Sequence, residues 1–349
     1  MVIGGRKVGE GQPCFIIAEA GVNHNGRLDL GLKLIDAAAA AKVDAVKFQT
    51  FKTQEVIIDG IEKAPYQKQA TGAGESQTDM IKKLEIDRDF HLKLVERCRQ
   101  KGVLFLSTCY GQYSLGLLME LDVPVLKIAS MDIVNPLFLE TVAKTGKPVI
   151  ISTGMSTLEE VKAGIRFLKD NGGGDIAILK CTSSYPASLD EVNLRGMWTL
   201  RDEFPGAVIG FSDHTQGVGA SAYAVAMGAK IVEKHFTVDK NLPGPDHQAS
   251  LSPDELVLWV KEIRKVETML GSPVIAPTAS ELETAKAMRR SLVSAGPLSK
   301  GNTLARENIL AKRTGGKGIP SQELYKVLGL KLANDIAADQ PILWSDVGE

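Results

Sequence analysis

The stretch VIISTGMSTLEEVKAGIRFLKDNGGGDIAILK, Val149 to Lys180, sets the pattern for most of the chain. An apolar run at 149–152 is followed by a helix-period segment at 157–169 and a second apolar run at 176–180. Runs that are apolar throughout belong to strands buried on both faces, and strand, helix and strand in that order make one parallel βαβ unit. Working outward, further runs of this kind lie at 14–18, 44–48, 104–107, 125–128, 208–211 and 230–233. The intervening helix-period segments are 26–41, 87–101, 112–121, 135–144, 193–203, 217–227 and 253–270. Eight such units within residues 1–270 predict an α/β fold, a TIM (β/α)8 barrel. A doubly wound open sheet is the rival architecture, and the lack of GxGxxG after any strand weakens its dinucleotide-binding form.

Two features go beyond a minimal barrel. Residues 2–10, with Gly4 and Gly5 between short apolar runs, read as an N-terminal hairpin that plugs the barrel bottom. Thr50 to Ile86 is too long for an ordinary strand-to-helix loop and reads as a lid or binding loop, its Gln54, Tyr66, Gln67, Gln69 and Gln77 suiting a hydroxylated ligand. A tolerated surface insertion is the plainer alternative. After Leu270 the composition changes, with Gly271, Ser272, Pro273 and Pro277 marking a linker over 271–284 and a small domain expected over 285–349. Within that domain Lys300 to Ile309 is echoed by Ala338 to Val347, which suggests pseudo-twofold symmetry. So small a domain without disulfides gains from docking on a larger one.

Composition narrows the function. The 349 residues carry 41 Lys and Arg against 42 Asp and Glu, a net charge of −1, so no basic field exists to hold a phosphate backbone and no nucleic-acid partner is expected. No apolar stretch approaches a membrane span and the N-terminus lacks a signal-peptide apolar region, which places the expected protein in the cytoplasm. Cys14, Cys98, Cys109 and Cys181 show no close spacing and are expected as thiols.

In a barrel, function lies at the C-terminal ends of the strands, and all eight predicted ends are polar. They supply Glu19 followed by Asn23, His24 and Asn25; Lys47 and Gln49; Ser107 and Thr108; Lys127 and Ser130; Ser152 and Thr153; Lys180, Thr182, Ser183 and Tyr185; Ser212, Asp213 and His214; and Glu233, Lys234 and His235. Four of the five histidines, His24, His214, His235 and His247, follow strand ends, and only His91 falls on an outer helix. His214 and His235 come from adjacent strands and can share one divalent ion with open positions left for water and substrate. Mn²⁺ or Mg²⁺ suits such a site, because Zn²⁺ asks for a third protein ligand. Lys47 and Lys127 with Thr108, Ser130, Ser152 and Ser212 form a cationic, hydroxyl-rich floor for a small phosphate-carboxylate ligand. A Schiff-base aldolase is the rival use of a strand-end lysine, with Lys127 or Lys180 as the amine. Glu19 leads as acid-base group, and an ion pair with Lys47 is its competing role.

In order along the chain, Ile17-Ala-Glu-Ala-Gly-Val-Asn-His-Asn-Gly26, Val46-Lys-Phe-Gln49, Lys127-Ile-Ala-Ser130, Ser152-Thr-Gly-Met155, Cys181-Thr-Ser-Ser-Tyr-Pro186, Gly210-Phe-Ser-Asp-His-Thr215, Glu233-Lys-His-Phe-Thr237 and Pro243-Gly-Pro-Asp246 resemble the sialic acid (nonulosonic acid) synthases. The end of the chain, with Ile309-Leu-Ala-Lys-Arg313 before Thr314-Gly-Gly, resembles their antifreeze-like (SAF) domain. The resemblance covers nearly the whole chain. It implies condensation of phosphoenolpyruvate with an open-chain N-acylated sugar, such as N-acetylmannosamine or a 2,4-diacetamido sugar, with release of phosphate. It assigns the divalent metal to His214 and His235, Mn²⁺ first with Mg²⁺ or Co²⁺ as alternatives, and the catalytic role to Glu19. Phosphoenolpyruvate falls to Lys47, Thr108, Lys127, Ser130, Ser152, Ser183 and Ser212, and the sugar to Tyr185, Asp246 and Arg313. It also implies a domain-swapped homodimer. Ser183 stands where some members carry Asn, and the 72–77 stretch lacks an asparagine that contacts the sugar in some of them. The run 244–247 favours the neuraminate and legionaminate branches over the pseudaminate branch. The alternatives are a related barrel synthase of 3-deoxy sugar acids, a Schiff-base aldolase, or a C-terminal module that binds ice or glycan.

Overall fold

The computed structural model describes residues 1–72 and 74–348, apart from the side chains of Tyr66, Gln69 and Ala70. The expectations placed on Tyr66 and Gln69 therefore lie outside the described residues. The chain divides into two compact units, Met1–Gly271 and Ser272–Glu349.

The first unit is a closed, all-parallel barrel of β1 (Phe15–Gly21), β2 (Ala45–Thr50), β3 (Leu104–Cys109), β4 (Leu126–Ile128), β5 (Val149–Ser152), β6 (Ile176–Cys181), β7 (Val208–Asp213) and β8 (Ile231–His235). Pairing of β8 with β1, from Ile231 opposite Phe15 to His235 opposite Glu19, closes the sheet and removes the open-sheet alternative. All eight expected strands are present, but six run further at their C-terminal ends than their apolar residues do. An apolarity criterion stops at the first polar side chain, whereas ladder pairing continues through Glu19 with Lys47, Gln49 with Thr108 and Lys234 with Asp213. Function therefore begins while the chain is still strand.

Helices follow each strand, and local signals fix their ends. Ser252 and Glu255 cap the helix Pro253–Leu270 reciprocally, with Pro253 in the first turn where no donor is missed. A cap of this kind contributes about 1 kcal/mol. The outer core lies between strands and helices, and Trp259 is fully buried there. The inner core is Phe15, Ile17, Ala45, Leu106, Val125, Ile150, Ala177, Leu179 and Ile231, closed below by Ile3 and Val8 of the N-terminal hairpin. Gly4 in that hairpin has φ +55°, and a Cβ there would come within 2.6 Å of Leu104.

The long segment after β2 is built rather than loose. It forms helices Thr53–Val56, Pro65–Thr71 and Gln77–Lys82. The buried Lys63 ammonium ties it together, donating to Thr71 Oγ1 (2.8 Å), the Gly72 carbonyl (3.1 Å) and Glu75 Oε1 (3.2 Å). Its apolar residues meet the barrel rim in a separate cluster of Val22, Phe51, Leu84, Val56, Ile81 and Tyr110.

In the second unit the expected linker is shorter than 271–284, because a helix occupies Ala279–Met288. Thr278 and Glu281 start that helix with a capping box, a signal stronger than the nearby prolines. Antiparallel β9 (Arg290–Ser294) and β10 (Ile309–Arg313) pair from Arg290 opposite Arg313 to Ser294 opposite Ile309. The core contains Leu292, Leu304, Ile309, Ile319, Val327, Leu332, Ile336 and Ile342. The sequence echo has a local counterpart: 3-10 turns at Arg306–Asn308 and Trp344–Asp346 occupy equivalent places. Asn308 Oδ1 accepts from Ala305 N in one, and Asp346 Oδ2 from Leu343 N in the other, both at 2.9 Å. No described helix is long and apolar enough to cross a membrane.

His24 supplies a stability test. It is fully buried with its ring 5.5 Å from Phe90, and Nδ1 accepts from Gly26 N at 3.0 Å. Burial pushes its pKa down from 6.5 to about 3. The unfolded chain therefore takes up a proton below pH 6.5 that the folded chain refuses until about pH 3. Stability is complete above 6.5 and falls through that window, by about 2 kcal/mol at pH 5. His24→Asn, whose amide oxygen can replace Nδ1 as acceptor, is expected to lower the Tm at pH 7 but to flatten its decline between pH 7 and 5. Parallel declines in both proteins would assign the acid lability to other groups.

Candidate functional site

Strand parity builds the site. Side chains two residues beyond an inner-core residue point the same way. Ile17 thus leads to Glu19, Ala45 to Lys47 and Gln49, Leu106 to Thr108, Ile150 to Ser152, Leu179 to Cys181, and Ile231 to Glu233 and His235. All of these, with Lys127, Ser130, Ser183, Tyr185, Ser212, His214 and Asp246, line one cavity of about 680 Å³ at the C-terminal end of the barrel. The twelve barrel residues that the resemblance assigns to catalysis, metal, phosphoenolpyruvate and sugar are therefore brought to one place. Arg313 belongs to the second unit, on the exposed end of β10.

The floor is a buried set of two ammonium and two carboxylate groups. Lys47 pairs with Glu19, donates to Thr108 Oγ1 at 2.8 Å and lies 3.5 Å from Glu233. Lys127 donates to Ser152 Oγ (2.7 Å) and the Ile128 carbonyl (3.1 Å), with Glu233 3.9 Å away. Ser212 donates to Glu233 Oε1 at 3.1 Å, and Gln49 to Glu19 Oε1 at 3.2 Å. Burial pushes Glu19 up to about 7 against the pull of Lys47. Burial acts on Glu233 the same way, but Lys127 and Lys47 hold it down to about 2. Glu19 thus occupies its competing role, the ion pair, while also facing the cavity. Each buried charge costs several kcal/mol to desolvate, so near-balance of charge keeps this floor tolerable.

Above the floor, the His214 and His235 rings lie 5.7 Å apart between centroids, with Tyr185 4.2 Å from His214. His214 Nδ1 donates to the Thr182 carbonyl at 2.8 Å, which leaves the Nε2 lone pair available. His235 is held neutral by burial, and its buried Nδ1 has no hydrogen-bond partner, with Asp246 Oδ2 4.0 Å away. Two imidazoles side by side, one of them held neutral by burial and carrying an orphaned nitrogen, fit a divalent ion. Among the described residues no group of three or more His, Cys, Asp or Glu is placed to hold one, so further ligands would come from water or substrate.

Three expectations are corrected. His24 and His247 do not line the cavity: His24 packs against Phe48 and Phe90, and His247 contacts Thr237 Oγ1 (2.7 Å) and Asn25 Oδ1 (3.1 Å). Following a strand end is not enough, because a loop can turn its ring behind the mouth. Lys180 has outward parity and donates to the Cys181 carbonyl (3.0 Å) and Thr182 Oγ1 (3.2 Å), which removes it as a Schiff-base amine. Gln54 is exposed and absent from the lining, whereas Gln67 and Gln77 reach the cavity. Conversely, Glu233, Gln49 and Cys181 were not assigned to the site, although parity with His235, Lys47 and Leu179 marks them.

Comparison with known proteins agrees with this arrangement. The NeuB family model matches residues 34–274, and the SAF domain model matches 289–348. The chain is 42% identical to N,N'-diacetyllegionaminic acid synthase of Legionella pneumophila, over 97% of this chain and 96% of that protein. It is 33% identical to human N-acetylneuraminate-9-phosphate synthase, over 97% and 94%. The crystal structure of N-acetylneuraminic acid synthetase from Leptospira borgpetersenii aligns with a TM-score of 0.71 at 36% identity, covering 82% of this chain and 96% of that one. Barrel, cavity and C-terminal domain together place the chain in the NeuB family of nonulosonic acid synthases, carrying a SAF domain.

Proposed function

We propose that this chain condenses phosphoenolpyruvate with an open-chain N-acylated hexose and releases phosphate. The observation that carries this reading is the buried floor of two lysines and several hydroxyls beneath a pair of imidazoles. Lys47, Lys127, Thr108, Ser130, Ser152, Ser183 and Ser212 hold the carboxylate and phosphate of phosphoenolpyruvate, with the lysines as point charges and the hydroxyls orienting. His214 and His235 would hold a divalent ion, Mn²⁺ first, whose chemistry when bound would be Lewis acidity toward the acceptor aldehyde. Carbon 3 of phosphoenolpyruvate then bonds to the aldehyde carbon, whose oxygen takes a proton, and the charge left at carbon 2 is met by water. Glu19, its pKa near neutrality, takes the proton from that water; loss of a second proton forms the ketone as the carbon 2–phosphate oxygen bond breaks. Tyr185 and Asp246 face the acceptor. The test is incubation with phosphoenolpyruvate, Mn²⁺ and a panel of N-acylated hexoses, reading phosphate release and a product that gains three carbons. Borohydride trapping of pyruvate on Lys127 would overturn the reading in favour of an aldolase.

The family resemblance adds a homodimer with exchanged C-terminal domains, in which Arg313 of the partner subunit donates to the N-acyl carbonyl. Arg313→Ala is then expected to raise the acceptor KM about tenfold to a hundredfold while that of phosphoenolpyruvate changes little, read by steady-state kinetics; the loss of a charged hydrogen bond sets this scale. In a mixed dimer of Arg313→Ala and Glu19→Gln chains, exchange leaves one mouth intact and restores about half of wild-type activity. No rescue would mean that each domain serves its own barrel.

A further inference from the structure

Behind the two imidazoles lies a buried ion pair that the proposed chemistry does not use. Asp213 and Lys234 are register partners on β7 and β8, and both are almost fully buried. Each immediately precedes one imidazole in the chain, Asp213 before His214 and Lys234 before His235. Neither lines the cavity, because strand alternation turns Lys234 away from the mouth that Glu233 and His235 face. The Lys234 ammonium lies 3.0 Å from Asp213 Oδ1 and donates to the Thr215 carbonyl. The same Asp213 oxygen accepts from Thr215 N at 2.9 Å and from Thr215 Oγ1 at 2.7 Å, closing an Asx turn whose middle residue is His214. The other carboxylate oxygen accepts from Ser221 Oγ at 2.6 Å, on the helix Gly219–Ala226. Two strands, one helix and the turn that carries His214 therefore meet at one carboxylate.

A buried ion pair is a poor source of stability, since an apolar pair of the same volume often does as well or better. What such a pair can add is a single arrangement, because every charge and lone pair has a specified partner on a specified element. We propose that Asp213 and Lys234 are positioning residues for the metal site, holding the His214 and His235 rings at their 5.7 Å spacing before a divalent ion arrives. The inference rests on the reading that these imidazoles hold the ion. His214 needs the device most: it lies one residue beyond the end of β7, so its ring follows the turn rather than the ladder.

The test uses full-length protein and Mn²⁺ alone, with affinity read from the electron paramagnetic resonance of the free ion. Lys234→Met leaves the Asp213 carboxylate buried without its counter-charge and is expected to lower both Tm and Mn²⁺ affinity. Asp213→Asn with Lys234→Met removes both charges at nearly constant volume and keeps an amide oxygen for Thr215. This double variant is expected to regain Tm yet bind Mn²⁺ about tenfold to a hundredfold more weakly than wild type, the scale of losing a partner that orients a metal ligand. Its phosphoenolpyruvate KM should stay unchanged, and raising Mn²⁺ should restore its turnover, which repair of a damaged fold would not explain. Ser221→Ala leaves the ion pair in place and is expected to weaken Mn²⁺ binding in the same direction by about threefold to tenfold, being one step further from the rings. Wild-type Mn²⁺ affinity in the double variant, or in Ser221→Ala if the double variant does not fold, would overturn the inference and leave the metal reading standing. Undiminished Mn²⁺ affinity in His214→Ala would overturn both together.

Discussion

Glu19→Gln is expected to lower turnover by about two to four orders of magnitude while phosphoenolpyruvate continues to bind. The substitution keeps the size of the side chain and an oxygen able to accept from Gln49, but it removes the base and one of the floor's two negative charges. Lys47 and Lys127 then face Glu233 alone, and the floor gains a net positive charge. An anionic ligand should bind as well as before or more tightly. The two consequences move in opposite directions, which a simply misfolded site would not produce. Phosphate release measures the turnover, titration calorimetry measures phosphoenolpyruvate binding, and an unchanged Tm confirms that the cavity is intact. Weak binding with near-normal turnover would instead make Glu19 a ligand-positioning group.

Much of this arrangement was legible in the chain because parallel strands buried on both faces announce themselves as short apolar runs. The barrel count and the plugging hairpin follow from such runs, and eleven of the twelve barrel site residues lie at or near the strand ends, whereas Asp246 came only from the family resemblance. The boundaries failed where function begins: Glu19, Gln49, Asp213 and His235 are strand residues that apolarity assigned to loops. Parity was the neglected signal. Counting in twos from Ile17, Ala45 and Ile231 separates inward Glu19, Lys47 and Glu233 from outward Lys234, whose ammonium instead pairs with Asp213 at 3.0 Å behind the mouth. It also separates Cys181, facing the cavity, from Lys180, facing the helices. Loop residues carry no such periodicity. His24 and His247 therefore looked equivalent to His214 until the turns around them were known, and the order within residues 53–82 depends on long-range contacts to the rim that no local pattern encodes.

Removing either imidazole, by His214→Ala or His235→Ala, is expected to cut turnover by more than about a thousandfold and to weaken Mn²⁺ binding by more than about a hundredfold, beyond the effect typical of losing a supporting partner. The two imidazoles are held differently. His235 closes β8 in register with Glu19, while His214 follows β7 and is tied by its ring to Thr182 and by its carbonyl to Ala187 N at 2.8 Å. Both rings are positioned before any ion arrives, so the apo variants should fold, and Tm in chelator should fall only modestly. Electron paramagnetic resonance of free Mn²⁺ gives the affinity separately from activity. Chelation of the wild type should abolish phosphate release and Mn²⁺ should restore it; full turnover after exhaustive chelation would remove the metal from the reaction. The double variant discriminates further. If the imidazoles share one ion, losing the second costs little once the first is gone, because groups that act as a unit are lost together. Multiplying losses would mean that they act independently, each as a separate hydrogen-bonding contact to the substrate.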